Sequence, residues 1–237
     1  MADKWEPTAL EQKLMENAIG NDPMVKCDAL FVHGSPVRDD TLDKRLLQVA
    51  VECYCSGLPM VVLNGLTREQ CREKNLAYDG YEAWQDFLER SRVPKSDIVI
   101  LPASPHTAAE SRNFLALAKK EGWTRLTIAS YPHHIVRCFQ QIVALMPEAG
   151  FEPQVHALTF HNLGWGEVMK KPVMGGQTAL GGKDVEGTLE EHISEEYVRQ
   201  VAYAQEPPLK DGKPTYTRHA TFPEVIAYLN RREKIGQ

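Results

Sequence analysis

Short apolar runs alternate with amphipathic segments through the middle of the chain. Each run is too short for a helix and stops at glycine, proline or polar residues, which is typical of a buried strand running into a turn. The five runs are Cys27 to Val32, Met60 to Leu63, DIVILP, RLTIAS, and Val155 to Phe160.

Four amphipathic segments separate these runs and predict helices, because their apolar residues recur at helical spacing. The helices are expected from Thr41 to the turn at Gly57, through YEAWQDFLERS, from about Thr107 to Lys120, and from about His133 to Leu145. Strands that alternate with helices of this length predict an α/β fold, with a parallel sheet, right-handed crossovers and helices on both faces.

The pattern weakens outside this α/β core, which spans residues 21–160. Residues 1–20 predict one amphipathic N-terminal helix, with Thr8 as its cap. Residues 161–237 are expected to form a glycine-rich loop, up to Gly187, and then a C-terminal helical cap. The cap comprises helices near Leu189 to Gln205 and Phe222 to Lys234, joined by PPLKDGKP. A loop of that length is typical of a binding lid or of a disordered segment.

Composition narrows the class of protein. The chain has 237 residues, of which 43% are hydrophobic, so it can build a full core and disorder is not expected. A net charge of −5 predicts no nucleic-acid partner, since no positive field would gather phosphates. No stretch approaches the ~18 apolar residues of a membrane span, and the first residues lack a signal core. We therefore expect no membrane association and a cytoplasmic protein.

Five cysteines are scattered through predicted strands and helices, which argues against a secreted disulfide framework and favours reduced thiols. Cys53, Cys55 and Cys71 could in principle ligate zinc, but their spacing is unlike the usual pairs, and two of them lie in a predicted helix. We therefore expect structural thiols and no metal site.

Ligand binding in a parallel sheet belongs at the carboxyl ends of the strands. Four short segments follow the predicted strands there: His33-Gly34-Ser35, Leu63-Asn64-Gly65, Pro102 to His106, and Ser130 to His134. Glycines and polar side chains gather in these segments, although the strands before them are largely apolar. The sequence therefore predicts one ligand site built from these turns.

The segment SPHTAAESRN carries the most specific local pattern. Ser104, His106 and Thr107 lie where a helix presents unpaired N–H groups and the positive end of its dipole, which suits a phosphate or a carboxylate. Thr107 and Glu110 also match a capping box, so a well-capped helix is an alternative explanation for these two residues. A well-capped helix does not explain why His106 and Ser104 lie in the same turn.

Two cationic positions and a glutamate add to this predicted site. His134 and Arg137 are three apart, so on a helix they share a face, where arginine can hold an anion and histidine can transfer a proton. Arg38, after the Gly34-Ser35 turn, offers another cation, and Glu82 could accept a hydrogen bond from a ligand hydroxyl or amine. Each of these positions has an alternative explanation. His134 and Arg137 could be a surface pair, Gly34 could simply form a turn, and Glu82 could be an ordinary solvated glutamate.

These segments, in this order, resemble the YdcF-like family, which includes the SanA and ElyC envelope proteins. The family features are a strand into a glycine turn with a following arginine, a second glycine turn, a Glu-Ala pair, a Ser-x-x-Thr segment and a His-x-x-Arg helix start. Here they are Gly34-Ser35 with Arg38, Asn64-Gly65, Glu82-Ala83, Ser104 through Glu110, and His134 with Arg137, within roughly Val25 to Phe151. Two positions depart from the family pattern, since Ser35 replaces a second glycine and Ser111 replaces an asparagine.

The resemblance implies a Rossmann-like sheet and a nucleotide-type ligand, with S-adenosylmethionine as a candidate cofactor. Together with the rule for strand ends, it selects binding candidates at Gly34, Ser35, Arg38, Asn64, Gly65, Glu82, Ser104, Thr107 and Ser130. The catalytic candidates are His134, Arg137, His106 and Glu110.

Three functions fit these observations. The first is binding of a nucleotide-like or phosphorylated small molecule, with or without catalysis. The second is hydrolysis or group transfer on a phosphoester or glycosyl phosphate. In it, His134 or His106 would be the acid or base, arginines would clamp the anion, and Glu82 or Glu110 would orient the substrate. The third is a non-catalytic interaction module, in which the N-terminal helix and the C-terminal pair of helices form a partner surface with a large exposed apolar patch. A homo-oligomer is compatible with each of them.

Overall fold

The computed structural model describes residues 26–34, 40–73, 78–104, 106–131, 134–160, 172–177, 184–188, 203–205, 207, 209–210, 213–214 and 217–232. The helix expected over residues 1–20 lies outside the described residues. So does most of the helix expected near Leu189 to Gln205.

A single parallel sheet organises the core. Its strands are β1 (Ala29–Val32), β2 (Val61–Leu63), β3 (Ile98–Ile100), β4 (Arg125–Ala129) and β5 (Gln154–Leu158). The spatial order is β3-β2-β1-β4-β5, and every neighbouring pair runs parallel. The five apolar runs are therefore confirmed as strands, and the expected α/β fold with a Rossmann-like parallel sheet is the observed one.

Helices surround this sheet. They are α1 (Asp40–Cys55), α2 (Arg68–Glu73), α3 (Tyr81–Arg90), α4 (Thr107–Glu121), α5 (Ile135–Ala149) and α6 (Phe222–Arg232), with a 3₁₀ turn at Lys95–Asp97. Alternate residues of β1 enter two different hydrophobic clusters, because successive strand side chains point to opposite faces. Leu30 and Val32 join the cluster that contains α1 and α3, whereas Ala29 and Phe31 join that of α4, α5 and α6. The sheet is thus covered on both faces, as predicted.

Two helix predictions differ from the structure. Helix α2 was not expected, although Thr67 and Gln70 form a capping box at its start: Gln70 N donates to Thr67 Oγ1 and Thr67 N donates to Gln70 Oε1. Helix α5 continues past Leu145 through Pro147 and ends at Gly150, whose φ is 55°. A proline in the last turn removes a single helical donor, and Gly150 N still bonds to Pro147 O, so the helix does not break there.

The expectation of a loop over residues 161–187 is wrong for part of that segment. Strands β6 (Pro172–Gln177) and β7 (Asp184–Thr188) pair antiparallel within it. A shorter antiparallel pair, β8 (Leu209–Lys210) and β9 (Lys213–Pro214), lies within the expected PPLKDGKP connection. Backbone hydrogen bonds do not require the alternating apolar side chains from which strands are recognised, so glycine-rich pairs escape that test.

The C-terminal helix α6 covers the edge of the sheet at β5. The Tyr228 hydroxyl donates to Pro153 O and accepts from Val155 N, at 2.7 and 2.6 Å, and the Arg232 guanidinium donates to Val155 O at 3.0 Å. These side chains satisfy backbone groups that an edge strand would otherwise leave unpaired. Within the described part of the chain, no helix combines the length and the apolar character that crossing a membrane requires.

Candidate functional site

The strand order places the carboxyl ends of β1 and β4 at the topological switch point of the sheet, where open α/β sheets form a binding crevice. From β1 the chain moves outwards to β2 and β3, then returns to the other side of β1 for β4 and β5. Such a switch point is where open α/β sheets bind their ligands. The segments predicted to form the site lie at the ends of four of these strands: His33 follows β1, Leu63 is the last residue of β2, Pro102 comes two residues after β3, and Ser130 follows β4. The shared edge that the sequence predicted is therefore present.

A buried glutamate of α4 connects two of these strand ends. Glu110 Oε1 accepts from Asn64 Nδ2 at 2.6 Å, and Glu110 Oε2 lies 3.1 Å from His33 Nδ1. All three residues are buried, so water does not screen their interaction. The carboxylate thus joins the residues that follow β1 and β2 to the first turns of α4.

Asn64 also holds the turn after β3. Its Oδ1 accepts from Ser104 N at 3.0 Å and its Nδ2 donates to Ser104 O at 2.7 Å. The Ser104 hydroxyl donates to Pro102 O at 3.0 Å and accepts from Asn113 Nδ2 at 2.8 Å. Because Asn64 and Ser104 are engaged in this way, both act as a rigid wall of the crevice.

The capping box that was the alternative explanation for Thr107 and Glu110 is not formed. The residue that caps α4 is His106, with φ −138° and no side-chain capping bond, and Ala109 N and Glu110 N donate to its carbonyl oxygen. The helix starts at Thr107, so Glu110 is the fourth helical residue, one position past that of a capping-box glutamate. Its carboxylate turns inward to Asn64 and His33 instead.

Arg137 lies beside the N-terminus of α4. Its guanidinium donates to Thr107 Oγ1 at 3.2 Å and to His134 Nδ1 at 2.9 Å. The predicted shared face of His134 and Arg137 is therefore confirmed. Because a guanidinium nitrogen can only donate, His134 Nδ1 accepts, and the proton of the neutral imidazole lies on Nε2. A cation and a buried histidine thus meet the positive end of the α4 dipole.

The predicted glycines have different roles. A Cβ atom on Gly65 would lie 1.9 Å from Leu101 O, so the close packing of β2 against the turn after β3 requires glycine there. A Cβ atom on Gly34 would lie 3.6 Å from the Tyr78 ring, which is an ordinary contact. Gly65 therefore shapes the crevice, whereas Gly34 leaves room at its rim.

The remaining predicted residues divide between the crevice and other places. Ser130 is buried at the end of β4, where its hydroxyl donates to His33 O at 3.4 Å. Glu82 does not join the network of Glu110, since its Oε2 accepts from Arg68 N at 3.0 Å and so caps α2. Ser35 and Arg38 lie outside the described residues.

Two residues of the network were not among the individual binding or catalytic candidates, although His33 lies in one of the four predicted segments. His33 contacts Glu110, and the Tyr78 hydroxyl donates to Asn64 O at 3.2 Å. Burial raises the pKa of Tyr78 well above its ordinary value, and the nearby Glu110 raises it further, so the phenol stays protonated. A polar stripe on α4 was a usable signal for this network, because Thr107, Glu110 and Asn113 recur every third residue.

The cysteines do not converge on a site. Cys53 is buried, and this burial raises the pKa of its thiol to about 12, whereas Cys55, two residues on, is exposed. Among the residues that the structure describes, no group of three histidine, cysteine or acidic side chains could hold a metal ion.

This edge combines an anion-attracting corner, formed by Arg137 and the start of α4, with a buried pair of imidazole and carboxylate, formed by His33 and Glu110. The first can hold a phosphate or carboxylate, and the second can exchange hydrogen bonds or protons.

Comparison with known proteins gave no match, either to a protein-family model or to a curated protein.

Proposed function

We propose that this chain binds a small anionic molecule, nucleotide-like or phosphorylated, in the crevice between β1 and β4. The observation that carries the proposal is the Arg137 guanidinium, 3.2 Å from Thr107 Oγ1 in the first turn of α4. A helix N-terminus and a guanidinium each attract an anion, and here both act on the same place. Arg137 is half-buried, so solvent screens its charge less than that of a surface arginine.

The nature of the ligand is proposed from the shape and chemistry of this corner. Arginine matches the oxygen geometry of phosphate and carboxylate through parallel hydrogen bonds, which favours these groups over a monatomic anion. We also propose that the chain belongs to the YdcF-like family, because it carries the series of motifs from Gly34-Ser35 to His134 with Arg137. This resemblance adds S-adenosylmethionine, an adenosine derivative with a carboxylate, to the candidate ligands.

A thermal-shift panel tests the proposal. Inorganic phosphate, adenosine nucleotides, nucleotide sugars, sugar phosphates and S-adenosylmethionine would be added separately to the wild type, Arg137→Ala and Arg112→Ala. The Arg112 variant is the matched control, because it removes a guanidinium that joins α4 to α5 on the surface through Glu148. A ligand at a hundred times its Kd stabilises the native state by about 2.7 kcal/mol.

We expect at least one phosphorylated or nucleotide-like compound to raise the Tm of the wild type and of Arg112→Ala, but not that of Arg137→Ala. Arg137→Lys should restore part of the shift, since an ammonium keeps the charge and loses the paired geometry. No shift with any compound, or equal shifts in the wild type and Arg137→Ala, would overturn the proposal.

A second candidate function is hydrolysis or group transfer on a phosphoester. It is favoured by the contact of His134 Nδ1 with Arg137, which leaves the imidazole proton on Nε2, where it can be donated in a hydrogen bond to an oxygen of the substrate. Arg137 would hold the phosphoryl group while water attacks phosphorus. His134 would donate a hydrogen bond from Nε2–H to the leaving oxygen of the broken P–O bond, the proton released by the attacking water would pass to that oxygen through solvent, and Glu110 would orient the substrate. His106, exposed at the start of α4, is the alternative acid.

Turnover of chromogenic phosphomonoesters and phosphodiesters separates these two functions. If His134 hydrogen-bonds to the leaving oxygen, His134→Ala should lower kcat by roughly a hundred-fold or more while ligand binding persists. His106→Ala tests the alternative acid in the same assay. Full turnover in both His134→Ala and Arg137→Ala would contradict the enzymatic mechanism but not the binding proposal.

The interaction-module alternative stays a prediction, because the N-terminal helix and the first helix of the C-terminal pair, which would form its partner surface, lie largely outside the described residues. It predicts a large exposed apolar patch, and within the described residues the large apolar side chain that stands exposed is Ile226, at 50%. A single exposed isoleucine is ordinary for a protein surface.

A further inference from the structure

His33 is a buried histidine with one ring nitrogen that makes no hydrogen bond to the described residues. It directly follows β1 at the switch point of the sheet and is 0% exposed. Its Nδ1 lies 3.1 Å from Glu110 Oε2, while its Nε2 is buried without a hydrogen-bond partner among the described residues. Buried polar atoms are nearly always paired, so an unpaired one at a ligand crevice indicates a bond that a ligand completes.

The contact with Glu110 sets the chemistry of this unused atom. An ionised carboxylate only accepts hydrogen bonds, and Oε1 already accepts from Asn64 Nδ2. Nδ1 of His33 therefore donates to Oε2, and Nε2 of the neutral ring carries a lone pair. The group that completes the site must be a hydrogen-bond donor.

Glu110 connects His33 to the anion-attracting corner formed by Arg137 and the start of α4. Glu110 and Thr107 are three residues apart on α4, so they occupy the same helix face with Cβ atoms about 5–6 Å apart. Thr107 accepts from Arg137, and Glu110 bonds to His33. A ligand whose anionic group lies at Arg137 can therefore reach His33 with a group a few bonds away.

We propose that His33 is a specificity-determining residue of this site, and that its Nε2 accepts a hydrogen bond from a hydroxyl of the ligand. The chemical class is a hydroxyl-bearing phosphomonoester, such as a polyol or sugar phosphate, because a neutral donor beside the phosphate avoids repulsion from Arg137. The inference rests on the proposed function, which places the anion. It adds which part of the ligand is selected and by which atom.

A matched pair of probes tests this selection. Glycerol 3-phosphate and propyl phosphate have the same phosphate and carbon chain, but only the first has hydroxyls. Calorimetry should show that the wild type binds glycerol 3-phosphate about ten-fold more tightly, since a buried acceptor left unpaired by the other probe costs about that factor.

The informative variant is His33→Asn. Its amide nitrogen can stand where Nδ1 stands and keep the bond to Glu110, while no atom replaces Nε2. The ratio of the two affinities should therefore fall to about one in His33→Asn. Arg112→Ala, outside the crevice, should keep the wild-type ratio.

Nitrogen NMR of the histidine side chains adds a readout that needs no variant. In the ligand-free wild type, His33 should show a protonated Nδ1 and an unprotonated Nε2. Glycerol 3-phosphate should shift the Nε2 resonance much more than propyl phosphate does. A proton on Nε2 in the free protein would overturn the inference, even if His33→Asn did not fold.

The possible failures are distinguishable. Equal binding of both probes by the wild type, or an unchanged ratio in His33→Asn, would overturn the role of His33 and leave the anion site in place. If inorganic phosphate and both probes fail to bind the wild type, the proposed function is wrong for phosphates, and the inference is wrong with it.

Discussion

The Asn64 side chain forms two hydrogen bonds with the backbone of Ser104. Ser104 N donates to Asn64 Oδ1 at 3.0 Å, and Asn64 Nδ2 donates to Ser104 O at 2.7 Å. The two residues are 40 positions apart in the chain, and their contact joins the turns after β2 and β3. The second hydrogen of Nδ2 is directed to Glu110. The side-chain amide of Asn64 therefore positions both the wall of the crevice at Ser104 and the Glu110 carboxylate that bonds to His33.

Replacing Asn64 with aspartate should destabilise the protein strongly. In Asn64→Asp the new carboxylate cannot donate to Ser104 O or to Glu110, and it adds a like charge in a buried place. We expect a loss of about 3 kcal/mol in the free energy of unfolding near neutral pH, measured by urea denaturation. The loss should shrink as the pH falls, because protonation of one carboxyl group removes the repulsion. Asn113→Asp, at a half-buried position, should cost less, and equal costs would contradict this account.

Gly65 should tolerate no side chain. In Gly65→Ala the new methyl group would overlap Leu101 O, so β2 and the turn after β3 would have to separate. We expect a loss of about 2–4 kcal/mol in the free energy of unfolding, whereas Gly34→Ala should cost much less because its methyl group makes an ordinary contact with Tyr78. Thermal denaturation of the two variants side by side measures this difference. A similar Tm for both would show that the turn can relax.

The Tyr228 hydroxyl should stabilise the docking of α6 on β5. In Tyr228→Phe the buried Val155 N–H loses its acceptor, and Pro153 O loses its donor. We expect a loss of about 1–3 kcal/mol in stability and faster hydrogen exchange at the Val155 amide. Tyr54→Phe is the control, because that hydroxyl bonds to Asp97 at a half-buried position away from α6. Unchanged exchange at Val155 in Tyr228→Phe would contradict the role assigned to the hydroxyl.

The start of α6 should lose stability in acid. The Arg218 guanidinium, helped by the backbone N–H and hydroxyl of Thr221, lowers the pKa of Glu224 from 4.5 to about 2, although partial burial opposes the shift. Because the folded pKa is the lower one, the contribution is complete above pH 4.5 and disappears as the pH falls towards about 2. Its size should be about 1 kcal/mol, since solvent screens this half-exposed pair.

Glu224→Gln measures that contribution. The difference in the free energy of unfolding between wild type and variant should be constant above pH 4.5 and should narrow between pH 4.5 and 2. Glu152→Gln, which breaks the exposed pair of Glu152 with Arg231, serves as a control for the loss of one surface charge. A difference for Glu224→Gln that does not vary with pH would contradict the cause assigned to the pKa shift.

The predicted sheet and its main helices depended on local patterns. The runs that became β1 and β4 are short, apolar and closed by turn residues, and these features are visible without knowing the partner strands. The missed features lack such a pattern. Strands β6 and β7 are interrupted by glycines, and α2 has six residues, too few to show an apolar face although its capping box is present.

The sequence by itself determined the α/β alternation, the edge of the sheet at which polar turns gather, and the pairing of His134 with Arg137 on one helix face. Only the tertiary structure decided that Glu110 bonds to His33 and Asn64, which are 77 and 46 positions away, rather than capping its own helix. The spacing of apolar residues along a helix or strand predicts which of them are buried against the sheet, because the direction of a side chain depends on the geometry of that one element. The partner of a buried polar atom depends on which elements pack together and in what register, and that is decided only when the whole sheet has assembled.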